Sequence, residues 1–281
     1  MAFADKIKDK MGSAVPKWIP RGIYYKNKKV YDHIFLNFND NFIEGKYPES
    51  FNIKGNLMKD AEIKYHLGAR HMNSSQVMCI NFFNKFFERP EYEQILLNIL
   101  RDSEIKIAPE DKIIAAAFEY EPCKKERTNF DFYMVLSGGI KISFEIKYTE
   151  KDFGSTSPDE NDPDKYNKKW NNIYKYMVEK NHFFDKDKTD SDEFYKNYQI
   201  NRNIAYATEN DYVLFLTPEA NKDKGISEGR KYIDDLNNPQ IKNLYWEKIM
   251  DKTMSAVSDY PELSEYYAKF YDKYIKILVL I

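Results

Sequence analysis

Residues 128–150, TNFDFYMVLSGGIKISFEIKYTE, constrain the fold more than any other stretch of this chain. Two runs alternate apolar and polar side chains on either side of Ser137-Gly138-Gly139. Phe130, Phe132, Met134 and Leu136 mark the first run, and Ile140, Ile142, Phe144, Ile146 and Tyr148 the second. Successive side chains of a strand point to opposite faces, so each run predicts a strand whose even positions enter a core. The two must pair with odd positions opposite odd ones, because a one-residue slip sets the core face of one strand beside the polar face of the other. A Gly-Gly turn pairing 137 with 140 breaks that rule. A Ser-Gly-Gly loop pairing 136 with 140 keeps it, and sets Asp131 directly opposite Glu145 with Cβ atoms about 5 Å apart.

Glu145-Ile146-Lys147 places a carboxylate and an ammonium on one strand face, two residues apart. The same tripeptide recurs at Glu62-Ile63-Lys64 and Glu104-Ile105-Lys106. The first of these lies in a short segment without an alternating partner, and the second at the end of a helix. Only the copy at 145 has an acidic residue set across from it. Two carboxylates held together beside a lysine outline a divalent-cation site; the plainer reading is a charge cluster on a solvated sheet face.

Around this hairpin, Met78, Phe82, Phe83, Phe86 and Phe87 recur at helical spacing after HMNSSQ, where Asn73 is expected to cap the helix with Gln76 three residues on. Pro90 is expected to end it and Tyr92–Ile105 to form a second helix. Ile113–Pro122 reads as a strand carrying Glu119 and Glu121 on one face. Residues 151–193 read as a polar insertion with a short stripe at Trp170, Tyr174 and Met177. A helix is predicted over Phe194–Thr208, with Gln199 and Arg202 one turn apart. Asp211–Pro218 reads as a buried strand and Leu263, Tyr267, Phe270, Tyr274 and Ile277 as a final amphipathic helix. The expectation is a single domain over 1–281: an accessory extension over 1–70, a core over 72–218, and a helical addition over 219–281.

The chain has 281 residues, 42% of them hydrophobic, enough for a sizeable core, and a formal net charge of −2. That balance argues against a protein that coats nucleic acid indiscriminately. It does not exclude a local basic surface: residues 1–30 hold eight Lys and Arg against two Asp, or 8 − 2 = +6, a composition suited either to a basic arm near phosphates or to a solvated terminus. No apolar run near the start is long enough for a signal peptide or a membrane span, so a cytoplasmic protein without membrane contact is expected. Cys79 and Cys123 supply neither a disulfide framework nor a four-ligand zinc site and are read as packing residues.

The order helix, strand, strand with Asp131, strand with Glu145-Ile146-Lys147, helix with Gln199-Ile200-Asn201-Arg202, strand resembles the PD-(D/E)xK nuclease superfamily over residues 72–218. Phe130 stands where the name of the superfamily has its proline. The resemblance implies an α/β fold with a restriction-endonuclease-like αβββαβ core, a mixed central sheet flanked by helices, and helical additions at both ends. It implies a metal-dependent endodeoxyribonuclease acting on DNA with Mg²⁺ or Mn²⁺, and is compatible with a homodimer. Asp131, Glu145 and the carbonyl of Ile146 would hold the ion, and Lys147 would orient the attacking water. Gln199 and Arg202 would approach the same site or the scissile phosphate, with Glu119, Glu121 and Gln76 as further supporting groups. A repair or recombination nuclease, and a catalytically silent nucleic-acid-binding or interaction protein on the same fold, are the alternatives.

Overall fold

The first helix, α1 (Phe3–Ala14), buries Phe3, Ile7 and Met11 along one stripe. A two-stranded antiparallel hairpin follows, β1 (Arg21–Ile23) with β2 (Val30–Phe35), and then strand β3 (Asn52–Lys54). Helices α2 (Ser75–Phe83) and α3 (Pro90–Asp102) lead into three consecutive strands, β4 (Ile113–Cys123), β5 (Thr128–Leu136) and β6 (Lys141–Ile146). Four helices come next: α4 (Pro163–Lys169), α5 (Lys175–Lys180), α6 (Ser191–Lys196) and α7 (Tyr198–Ala205), the first two joined by a π turn at Trp170–Tyr174. The chain closes with β7 (Tyr212–Thr217), α8 (Lys224–Asp235), β8 (Ile241–Tyr245), α9 (Trp246–Ala256), α10 (Pro261–Phe270) and α11 (Lys276–Val279). The structure, a computed structural model, describes residues 2–281 apart from 60, 63, 124–127, 155, 157–162, 188 and the side chains of 163 and 165.

The central sheet has six strands in the order β3-β4-β5-β6-β7-β8, antiparallel from β3 to β6 and parallel from β6 to β8. Parallel neighbours need a crossover of a dozen residues or more, and the segment containing α4–α7 is that crossover. The β5–β6 hairpin has the register that alternation demands, with Phe132 opposite Phe144 and Val135 opposite Lys141. Its loop closes through Leu136 N–H donating to the Ile140 carbonyl at 2.8 Å, and Gly139 takes the left-handed φ of +86° that a three-residue loop requires of a glycine.

Even-numbered side chains of β5 and β6 enter the larger core. Phe132, Met134, Leu136, Ile142, Phe144 and Ile146 pack there with α1, α2, α3, α9, α10 and α11. The odd face is covered as well: Val213 and Phe215 of β7 pack with Tyr174, Phe194, Tyr195, Ile200 and Ile204 from α5–α8 and their connections. The sheet thus lies between two helical layers. Among the described residues no helix is long and apolar enough to cross a membrane.

Several local expectations change. Ser74, not Asn73, caps α2, accepting from Val77 N–H at 3.3 Å; the Asn73 amide is committed to Thr149 Oγ1 at 2.7 Å. Pro90 opens α3 instead of merely ending the helix before it, because a residue without an N–H costs nothing in a first turn. The helix expected over Phe194–Thr208 is two helices broken at Asn197, which leaves Gln199 N–H free to donate to the Gly154 carbonyl at 3.2 Å. Phe130 leaves the even face and stacks with Tyr133 at 5.7 Å. The basic N-terminus begins as a docked helix. The end segments are not helical alone: each lends the sheet an edge strand, β3 and β8. Of the other two Glu-Ile-Lys copies, Glu104 sits past the end of α3 at a φ of +63°, while Glu62 makes one isolated bridge with Ser50 and its neighbour Ile63 lies outside the described residues.

Candidate active site

Glu145 and Lys147 project from the end of β6 onto the odd face, where both are buried, and Lys147 Nζ lies 3.0 Å from Glu145 Oε1. Helix α7 lies over them. Gln199 donates through Nε2 to Glu145 Oε1 at 2.5 Å and accepts from Lys147 Nζ at 2.7 Å, closing a three-membered ring of contacts. Asn203, one turn further on, donates to Glu145 Oε2 at 2.7 Å. Spacing of four residues on a helix places both amides on one face, which is why two residues of α7 reach the same carboxylate. Gly154 belongs to this arrangement: a Cβ there would come within 3.0 Å of Gln199 Oε1.

Asp131 lies on β5, and continuing the β5–β6 register by one pair sets it opposite Glu145. Its Oδ2 accepts the Ile146 N–H at 2.6 Å. The Ile146 backbone, between the two catalytic candidates of β6, therefore enters the site as a donor to Asp131. Continuing along the β4–β5 register places Glu119 opposite Asp131 on the other side. Glu119 has a φ of +48°, and pairing of β4 with β5 becomes irregular just beyond it, between Tyr120 and Cys123. That irregularity separates Glu119 from Glu121. Glu119 is held by Gln76 Nε2 at 2.8 Å and Asn129 Nδ2 at 2.9 Å, whereas Glu121 is exposed and the two do not share a face as period-two alternation predicts.

Gln76 joins the site through Glu119 and not through a cap: its Oε1 accepts His66 N–H at 3.2 Å. Arg202 is turned elsewhere on α7. Its guanidinium sits 5.6 Å from the centre of the Tyr198 ring, and its Nε is buried without a hydrogen-bond partner among the described residues. Asn203 and Asn129, which hold Glu145 and Glu119, carry no motif of their own; the one signal for Asn203 is its position four residues after Gln199.

The electrostatics are those of crowded negative charge. Burial, followed by the charges of Glu145 and Glu119, lifts the Asp131 carboxyl well above the usual carboxylate range, against the opposing pull of Lys147. Burial also raises Glu119, despite its two amide donors. Burial by itself would lower the Lys147 ammonium, but Glu145, Glu150 and Asp131 outweigh it and the pKa is raised. Lys147 therefore stays protonated at neutral pH and is fitted to position and neutralise, not to accept a proton.

A family model described as REase-ARP, Restriction Endonuclease associating with ARP, matches residues 18–275, nearly the whole chain. The chain belongs to this restriction endonuclease family. The mixed sheet between two helical layers is its restriction-endonuclease-like fold. No curated protein and no solved structure matches the chain. With the family on the page, the buried Glu145–Lys147 pair and the carboxylates ranged beside it are the candidate active site of a nuclease.

Proposed function

We propose that this REase-ARP member is a metal-dependent endodeoxyribonuclease of PD-(D/E)xK type, with Asp131, Glu145 and Lys147 as its catalytic residues. The reading is carried by one observation: Glu145 and Lys147 lie 3.0 Å apart at the end of β6, with Asp131 of the next strand bonded to the Ile146 N–H between them. A merely solvated charge cluster would not be buried under α7.

The residues fit a divalent cation in charge. Three carboxylates, Glu119, Asp131 and Glu145, face one lysine, and Asp131 is raised first by burial and then by the charges of Glu145 and Glu119, which a bound cation would offset. Asp131 and Glu145 would hold Mg²⁺ or Mn²⁺, with the Ile146 carbonyl as a further oxygen. Bound there, the ion would lower the pKa of a water and draw charge from the phosphate. Among the described residues no group of three or more His, Cys, Asp or Glu side chains is arranged around one ion position, so the set relies on two carboxylates and backbone oxygen. Both Glu145 oxygens already accept hydrogen bonds, so Glu145 reaches an ion only by exchanging one of them. Lys147 holds a protonated ammonium beside the phosphate position, where it orients water and offsets charge gathering on the phosphoryl oxygens. Gln199 fixes the Lys147 head group and Asn203 the Glu145 carboxylate.

The test is cleavage of mixed plasmid and linear DNA with and without Mg²⁺, by the parent, Glu145→Gln and Lys147→Met, each assayed well below its own melting temperature. The parent is expected to cut only with the ion, and each variant to lose about 10²- to 10³-fold or more in rate. Full cleavage by Glu145→Gln would remove the site; cleavage by the parent in the presence of a chelator would remove the metal.

A further inference from the structure

The basic N-terminal segment is not absorbed by the site described above, and the structure gives it a definite form. The β1–β2 hairpin carries Lys26, Lys28 and Lys29 at its tip, all exposed, and none of the three is in an ion pair among the described residues. The turn is built locally: Tyr24 N–H donates to the Lys29 carbonyl at 2.8 Å, and the Asn27 amide donates to Tyr31 Oη at 2.7 Å. Lys28 occupies this turn at a φ of +59°, a left-handed conformation that glycine or asparagine would adopt at lower cost. A lysine kept where the backbone favours glycine points to a use for its charge.

Behind the tip runs a row of rings. Tyr24 lies 6.0 Å from Tyr31 and 5.5 Å from His71, and His33 lies 5.5 Å from both Tyr31 and His71. Tyr25 is 41% exposed and Trp18, just before β1, is 81% exposed, so the ribbon offers large side chains to a partner as well as charge. The row leads toward the site. Strand β2 is bridged to His71, and His71 lines a cavity of about 260 Å³ together with Ser74, Thr149 and Glu150, which follow closely on Lys147. His66, on the same cavity, donates its backbone N–H to Gln76, the residue that holds Glu119.

We propose that the β1–β2 hairpin is a phosphate-clamping ribbon that holds duplex DNA next to the Glu145–Lys147 site. Its three tip lysines neutralise backbone phosphates, and Tyr25 adds a hydroxyl donor alongside them. The complementarity is one of sign: a ribbon with amphipathic rings and clustered cations that are in no ion pair among the described residues suits a polyanion and not an acidic-poor protein face. The inference rests on the nuclease reading and extends it to the substrate's backbone.

The experiment measures binding of a labelled duplex by fluorescence anisotropy, without divalent ions, across a series of salt concentrations. Replacing all three lysines, Lys26→Ala, Lys28→Ala and Lys29→Ala together, is expected to lower the slope of log affinity against log salt by up to about 2.7, at about 0.9 per phosphate contact. Lys28→Gly alone separates charge from fold: it is expected to raise the melting temperature by relieving the left-handed backbone, and to lower the slope by about 0.9. A merely structural lysine would not move both in those directions. If the parent binds duplex and both variants keep its affinity and slope, the hairpin assignment is wrong while the nuclease reading stands. If the parent does not bind duplex at all, the hairpin assignment is likewise wrong, and the nuclease reading is decided separately by Mg²⁺-dependent cleavage.

Discussion

The two faces of strands β5 and β6 are made from alternate residues of the same short segment, yet they do opposite work. On the even face Phe132 stacks on Phe83 at 4.1 Å, Phe83 meets Phe144 at 4.9 Å, and Phe82 packs edge-on against Trp246 at 5.2 Å. Burying such rings is favourable without further conditions. On the odd face Glu145 and Lys147 are buried nearly as deeply, and burial there is tolerable only because each charge meets the other and because Gln199 and Asn203 supply donors and an acceptor. One face stabilises the fold; the other is held in place by it. The difference also shows in what each face permits. Apolar packing survives changes that keep volume, whereas a polar network fails when one member is removed.

The comparison can be broken most directly by opening one face at a time. Phe132→Ala is expected to lower unfolding free energy by about 3–5 kcal/mol, through lost burial and the cavity left between Phe83 and Phe144, with the site geometry unchanged. Chemical denaturation measures the first, and cleavage at low temperature the second. A cost below 1 kcal/mol would mean that the even face is not the source of stability.

The charged face gives a sharper test through pairing. Glu145→Gln and Lys147→Met each leave an uncompensated buried charge and should each cost up to about 3–5 kcal/mol, while the double variant should cost clearly less than the sum. Simple carboxylate repulsion would predict that removing Glu145 stabilises the metal-free protein. The 3.0 Å contact with Lys147 argues the reverse. Additive costs in a double-mutant cycle would show that the pair does not interact.

A smaller effect is expected at Asn203, whose own Oδ1 is buried without a hydrogen-bond partner among the described residues while Nδ2 holds Glu145. Asn203→Ala should cost about 1–3 kcal/mol, because Glu145 Oε2 is left unsatisfied. Metal affinity should change alongside stability, which isothermal titration with Mn²⁺ can read.

The least effect, and the most diagnostic for the ion, concerns pH. The Asp131 carboxyl is raised in the fold by burial and by Glu145 and Glu119, so the folded state holds its proton where the unfolded state has lost it. Its contribution is most favourable at low pH and is lost as pH rises from the ordinary carboxylate value through the raised one. Asp131→Asn should therefore raise the metal-free melting temperature more at pH 8 than at pH 5. Mg²⁺ should stabilise the parent most at the higher pH and the variant little at either. An equal shift at both pH values would show that Asp131 carries no strained charge.

The segment around residues 128–150 determined much of this by itself. Alternation excludes any one-residue slip, because it would set the apolar row of one strand beside the polar face of the other, and the Ser-Gly-Gly loop selects among the in-phase registers the one that sets Asp131 and Glu145 on paired positions. The helix–strand order, and the apolar stripe of the last helix, were legible for the same reason: periodicity records which face is buried. What periodicity does not record is which element does the burying. Only the tertiary structure decided that the polar odd face lies under α7, that Ser74 caps α2 once Asn73 is drawn to Thr149, and that a left-handed Glu119 turns toward Asp131 while Glu121 turns to solvent. The edge strands β3 and β8 were hidden because three to five residues bordering a sheet carry too little alternation to be seen. Asn203 and Asn129 were hidden for a different reason. A hydrogen-bond donor needs only to point correctly at its partner, and that direction is set by the packing of α7 and β5, not by the residues beside it in the chain.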